Sequence, residues 1–183
     1  MAATDGIRVE THRGMGLVNK VFDENALERL AGYDTVVGHV RYSTTGSSRI
    51  ANAQPLFARY ARGRLAVAHN GNLTNGPGLR AELEARGSIF QTTSDSEVVL
   101  HLAALPGGGD SSLASQLAGV APEDIHIIDQ FGRLEGAFSL LIRTPTAMIG
   151  VRDRHGFRPL WLGKRDGAWA FASETAAFDM SQV

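Results

Sequence analysis

Four segments of this 183-residue chain put polar, chemically capable residues at the ends of apolar runs. The first is Gly38-His39-Val40-Arg41-Tyr42-Ser43-Thr44. An arginine ending an apolar strand can hold a carboxylate through two parallel hydrogen bonds, and a structural ion pair would use it equally well. The second is Ala68-His69-Asn70-Gly71-Asn72-Leu73, where an Asn side-chain amide and a Gly backbone N–H form a pair of donors able to converge on an oxyanion. Plain turn chemistry is the simpler use of Asn-Gly. In the third, Thr92-Thr93-Ser94-Asp95-Ser96-Glu97, Asp95 can accept from a substrate ammonium or cap the helix that follows, and the two roles are compatible. The fourth, Arg152-Asp153-Arg154-His155-Gly156-Phe157-Arg158-Pro159-Leu160, is read first as a solvated turn and second as a loop shaping a site.

Other chemistries are poorly served. None of the six histidines falls into an H-x-x-x-H or H-E-x-x-H pattern, so a metal site is not expected. His39 and His69 lie on expected strands and read as packed, hydrogen-bonded residues. Ser43, Ser94 and Ser173 lack the context of a nucleophile elbow. The absence of cysteine excludes disulfides, thiolate metal sites and a thiol nucleophile within these residues. No phosphate-binding loop or dinucleotide fingerprint occurs.

The elements that must carry these segments follow from pattern. Ile7–Glu10 alternates like a half-buried strand. Asp23 to Leu30 reads as a helix capped by Asp23 and stopped at Gly32. Thr35–Tyr42 and Arg64–His69 read as buried strands. Leu79–Arg86 is helical in composition, and Ser94-x-x-Glu97 has the form of a capping box for another helix. Leu105–Asp110 is a glycine-rich loop. Helices are expected around Ser112–Leu117 and over Pro122–Phe131. Strands are expected at Ala137–Arg143, Ala147–Arg152, Pro159–Gly163 and Ala168–Ala172, with Asp166-Gly167 turning the last hairpin. Clustered strands with grouped helices make an α+β pattern.

Composition is that of a globular domain, 43% hydrophobic and 20% charged. Lys+Arg of 18 against Asp+Glu of 19 gives no basic excess for nucleic acid or a membrane surface. No apolar run approaches the roughly 18 residues of a membrane span.

Taken in order, "GHVRYSTTG", "NAQPL", "AHNGNL", "GSIFQTTSDSE", "EGAFSLL", "RDRHGFRPL" and "ASETAAFD" resemble the glutaminase half of the amidophosphoribosyltransferases, from about Thr4 to Asp179. Enzymes that make glucosamine-6-phosphate or asparagine share the Arg, Asn-Gly and Asp elements but differ in the flanking words. The resemblance implies a class II glutamine amidotransferase with an αββα sandwich of the N-terminal-nucleophile hydrolase type. Such a domain releases ammonia from glutamine. A phosphoribosyltransferase domain then uses the ammonia to convert phosphoribosylpyrophosphate to 5-phosphoribosylamine, the first step of purine (IMP) synthesis. By resemblance, Arg41 binds the glutamine α-carboxylate, Asp95 binds the α-ammonium, and the Asn70 side chain and Gly71 N–H form the oxyanion hole.

The family's nucleophile is an N-terminal cysteine, and this chain has none. Its opening residues match a point inside the family pattern. Residues 1–183 are therefore expected to be a single, partial amidotransferase domain without the first strand of the sandwich and without the phosphoribosyltransferase domain. Low glutaminase activity and marginal stability are expected of it alone. The chain itself should need no cofactor; Mg2+, and in some members an iron–sulfur cluster, would belong to the full-length enzyme. Expected partners are glutamine, the phosphoribosyltransferase domain and like subunits of a homo-oligomer, with no nucleic acid and no membrane, in the cytoplasm. The alternatives are a non-catalytic glutamine-binding module and the glutaminase half of another class II amidotransferase.

Overall fold

The structure is a computed structural model that describes residues 1–41, 49–106 and 116–181. Tyr42, Ser43, Thr44, the glycines of the expected 105–110 loop and most of the expected Ser112–Leu117 helix lie outside these residues.

The central element is a four-stranded antiparallel sheet. It is built from β4 (Leu56–Tyr60), β5 (Gly63–Leu73), β6 (Gly136–Arg143) and β7 (Met148–Arg152), in that order. Phe138, Leu140 and Ile142 alternate along β6, and all three are buried, as a strand period of two requires. They meet three helices. These are α3 (Gly76–Ala85), which offers Leu79 and Leu83; α4 (Ser96–Ala104), which offers Val98, Val99, Leu102 and Ala103; and α5 (Pro122–Phe131), which offers Ile127 and Phe131. The three-to-four-residue spacings put each set on one helix face. Fully burying side chains such as Leu83 or Leu102 contributes about 1.5–3 kcal/mol each.

A second, three-stranded sheet has the order β2-β1-β3, with β1 Ala2–Thr4, β2 Val9–Thr11 and β3 Thr35–Val37. Ala2, Thr4 and Val9 of this sheet face Phe57 and Ala66 of the larger one across a void of about 10 Å3, room for at most one water. A short helix, α1 (Val18–Val21), precedes α2 (Glu24–Leu30), which covers the outer face with Ala26 and Leu30. The layers therefore run helix, sheet, sheet, helix. The cap of α2 is as the sequence suggests: Asp23 Oδ1 accepts from the Ala26 N–H at 2.8 Å.

The third sheet is the hairpin β8 (Trp161–Arg165) and β9 (Ala168–Ala172). Asp166 (φ 50°) and Gly167 (φ 83°) both take left-handed backbone, the geometry of the tight turn that Asp-Gly favours. The hairpin rests on β7 through Phe171, whose ring lies so close to Gly150 that a Cβ there would stand 2.6 Å from it. Trp161, Leu162 and Trp169 of the hairpin are more than half exposed. A last helix, α6 (Ala176–Ser181), follows.

Several expectations change in detail, among them the strand foreseen at Pro159–Gly163, which runs over Trp161–Arg165. The strand foreseen over Thr35–Tyr42 pairs only through Val37, and Gly38–Arg41 continue outside the ladder. The strand foreseen at Ile7–Glu10 begins two residues later, because residues 5–8 form a turn in which the Asp5 carboxylate accepts from the Ile7 and Arg8 N–H groups. The segment Arg152–Leu160 is largely solvated, as read from the sequence, but it is anchored at one residue. Buried Asp153 accepts from the N–H groups of Phe138, His155, Phe157 and Arg158, at 2.9 to 3.2 Å, and ties the loop to β6.

Candidate functional site

The site begins where one strand outruns its neighbour. Leu56↔Val67 is the last rung between β4 and β5, while β5 continues to Leu73 beside β6. Backbone groups alternate sides along a strand, so the N–H groups of His69, Gly71 and Leu73 turn to the edge that β4 has vacated. Two of the three are held by side chains. The His69 N–H donates to Gln54 Oε1 at 2.6 Å, and the Leu73 N–H donates to Asp95 Oδ2 at 2.9 Å. Gly71 lies between them, its N–H turned the same way. Beside it, the Asn70 side-chain amide makes no hydrogen bond among the described residues.

Gly71 is glycine for two reasons. Its φ is +140°, and a Cβ would overlap the Ala137 carbonyl oxygen and crowd Phe138 Cα on β6. The Asn-Gly pair is thus mid-ladder, paired with Ser139 and Phe138, and not the turn its composition favours.

Asp95 stands at the N-cap position of α4, but its side chain makes no cap bond. It turns to β5 instead, with Oδ2 on the Leu73 N–H and Oδ1 3.5 Å from His69 Nδ1. Burial pushes its carboxyl up, but His69 and the N–H groups of Leu73 and Ser96 outweigh that and hold it below the usual carboxylate value. Asp95 is therefore an anion at neutral pH, its side chain 28% exposed.

The capping box read at Ser94 and Glu97 does not form. Glu97 accepts instead from the Gln91 and Thr92 N–H groups at 2.8 and 2.7 Å. These donors belong to the loop leading to Asp95, and a buried carboxylate has more to gain from two strong donors than from one. Arg80 lies over the Phe90 ring and donates to the Thr92 carbonyl, fixing the same loop from outside.

A polar network joins β5 to α4. Ser96 Oγ receives Gln54 Nε2 at 3.1 Å and Ser94 Oγ at 3.0 Å, and lies 3.0 Å from His69 Nδ1. Asn52 and Thr93 exchange two further bonds, side chain to side chain and N–H to side chain. His39 lies near His69, Arg41 and the N-terminal amine. Burial first, then these neighbours, push it down to about 4. It is neutral at pH 7, and the guanidinium of Arg41 lies at the end of the same segment.

Of the four residues singled out in the sequence, Asn70, Gly71 and Asp95 are brought together on one sheet edge. Arg41 is linked to them through the electrostatic neighbourhood of His39 and His69. Gln54 and Ser96 were not foreseen as site residues: a glutamine before a proline and a serine inside a helix carry no distinctive chemistry. The arrangement offers an acceptor for an ammonium group, two donors for an oxyanion and a cation for a carboxylate. Among the described residues no His, Asp and Glu side chains cluster to hold a metal ion, and without cysteine there is no thiolate set for an iron–sulfur cluster.

Residues 39–180 match the family model of the glutamine amidotransferase domain. The chain belongs to this family. It is 48% identical over 176 residues to amidophosphoribosyltransferase 2, chloroplastic, of Arabidopsis thaliana, a match covering 96% of the chain and 29% of that relative. It is 41% identical over 181 residues to amidophosphoribosyltransferase of Bacillus subtilis, covering 98% and 35%. Among solved structures, the B. subtilis glutamine phosphoribosylpyrophosphate amidotransferase complexed with ADP and GMP superposes with a TM-score of 0.78 at 40% identity, over 97% of this chain and 36% of that one. The domain thus spans about a third of the length of its relatives. The likeness confirms the α+β, N-terminal-nucleophile-hydrolase type of sandwich expected from the motifs.

Proposed function

We propose that this domain binds glutamine and serves as the glutaminase part of an amidophosphoribosyltransferase. The observation that carries the reading is the edge of β5. There the Gly71 N–H sits between two N–H groups already held by Gln54 and Asp95, beside an Asn70 amide that has no hydrogen-bond partner among the described residues. In this reading Arg41 takes the α-carboxylate and Asp95 the α-ammonium of glutamine. Asn70 Nδ2 and the Gly71 N–H receive the oxygen of the side-chain amide as it becomes an oxyanion. Donors of that kind favour the transition state because charge develops where they already point.

The attacking thiol is not among the 183 residues, so acyl-enzyme formation needs a group from outside them. The ammonia would pass to a phosphoribosyltransferase domain that makes 5-phosphoribosylamine from phosphoribosylpyrophosphate. Mg2+, and an iron–sulfur cluster where one is present, belong to the rest of that enzyme in this reading. We place the whole in the cytoplasm as an assembly of like subunits; no helix of the described residues is long and apolar enough to cross a membrane.

The absence of cysteine favours a second reading, a glutamine-binding module without turnover. Calorimetric titration tests what the two share. L-Glutamine should bind, D-glutamine should not, and Asp95→Asn should weaken the L-isomer at least tenfold. Equal binding of both isomers would overturn the assignment of Arg41 and Asp95. Joining the chain to a segment that supplies an N-terminal cysteine separates the readings: ammonia release supports the glutaminase, and binding without release supports the module.

A further inference from the structure

We infer that Gln54 is a positioning residue that sets the spacing between the two halves of the site. The inference rests on the glutamine-binding reading above and adds to it a residue that touches no ligand. Gln54 is 7% exposed, and its side-chain amide spans the gap where β4 stops short of β5. Its Oε1 accepts from the His69 N–H at 2.6 Å, one residue before Asn70. Its Nε2 donates to Ser96 Oγ at 3.1 Å, one residue after Asp95. One planar amide thereby connects the strand bearing the oxyanion donors to the helix start bearing the ammonium acceptor. Because acceptor and donor are fixed within that plane, the amide cannot satisfy both partners if either element slides. His69 braces the connection from the other side, its Nδ1 3.0 Å from Ser96 Oγ. The Leu73 N–H to Asp95 bond, 2.9 Å long, closes the loop at the far end of the edge.

This arrangement explains a feature that packing alone leaves open. A strand edge vacated by its neighbour would normally leave a row of unpaired N–H groups, or recruit another strand. Here alternate groups are taken by side chains from two different segments, and the middle one stays available. A strand continuing β4 would have consumed the Gly71 N–H as well. Gln54 satisfies the His69 N–H just beyond the last rung between β4 and β5.

Amide hydrogen exchange on the intact chain, with and without L-glutamine, tests the inference. Ser96→Ala cuts the far anchor and leaves Gln54 in place. The His69 amide should keep its protection, and the Leu73 amide should exchange roughly tenfold faster, the size of one lost buried hydrogen bond. Gln54→Leu should release both amides, with ladder amides of β6 and β7 changed much less. L-Glutamine affinity should fall about tenfold in both variants, and more than the thermal midpoint alone would predict. Uniform acceleration through β5, β6 and β7 in Ser96→Ala would reduce Gln54 to a general packing residue and overturn the inference. Unchanged exchange at Leu73 would overturn it too. If the wild-type chain binds no L-glutamine, the functional reading fails, while the contrast between His69 and Leu73 still decides the role of Gln54.

Discussion

His39 makes the domain acid-sensitive by an amount the structure allows to be worked out. The residue is half-buried at the base of the Gly38–Arg41 segment, and burial first, then His69, Arg41 and the N-terminal amine, push it from 6.5 down to about 4. In the unfolded chain those neighbours disperse and the ordinary value returns. Between pH 6.5 and about 4 the unfolded state therefore holds a proton that the folded state refuses, and stability falls as pH falls. Each pH unit in that window is worth about 1.4 kcal/mol. His39 is half-buried and not sealed, so solvent screening trims the full loss to roughly 2–3 kcal/mol. Carboxylates such as Asp95 lose stability in the same direction at lower pH, so the contribution of His39 must be read as a difference. Urea unfolding of the wild type and of His39→Gln at pH 7, 6, 5 and 4 isolates it. The wild type should lose about 2–3 kcal/mol more than the variant over this range, most of it below pH 6. Parallel pH profiles for the two proteins would refute the placement of His39 among cations.

Further outcomes follow from the same geometry. Gly71→Ala should destabilise by about 3 kcal/mol or more, since it combines a left-handed backbone with a Cβ driven into the Ala137 carbonyl; a folded variant of near-native midpoint in thermal unfolding would contradict the close approach of β5 to β6. Asp153→Ala should loosen the loop from His155 to Arg158 and lower the thermal midpoint, because four N–H groups lose their common acceptor; unchanged exchange of the Phe157 and Arg158 amides would count against that role. The chain alone should release no ammonia from glutamine above a mock preparation, because no thiol is present to form the acyl intermediate. Asn70→Ala should leave stability within about 0.5 kcal/mol, as a half-exposed amide without a hydrogen-bond partner among the described residues has little structural work.

Much of the fold could be read directly. The helix at Pro122–Phe131 and the strand at Ala168–Ala172 fall on the foreseen residues. Each has strong periodicity and clear punctuation, Pro at one helix start and Asp-Gly before the strand. The strands Ala2–Thr4 and Leu56–Tyr60 gave no such signal. The first is three residues long. The second mixes Arg and Tyr with apolar residues because it lies at the edge of its sheet and is only partly covered. Ser94 and Glu97 show a local pattern overruled by its surroundings: the box has the right spacing, but two N–H groups of the preceding loop reach the carboxylate instead. At the site, residue types marked Asn70, Gly71, Arg41 and Asp95 as candidates alongside plainer structural uses, and the family resemblance gave them roles. Their arrangement was not legible, because it depends on β4 beginning only at Leu56 while β5 runs on past its partner Val67, a mismatch in strand length between elements that no local motif encodes.

The most direct measurement is a nitrogen–proton NMR titration of the intact chain with L-glutamine at neutral pH. The account predicts saturable shifts concentrated at the amides of Asn70, Gly71, Leu73 and Asp95, with D-glutamine silent and no ammonia formed. Shifts scattered over the surface, or a β5 edge that does not respond to saturating L-glutamine, would contradict it.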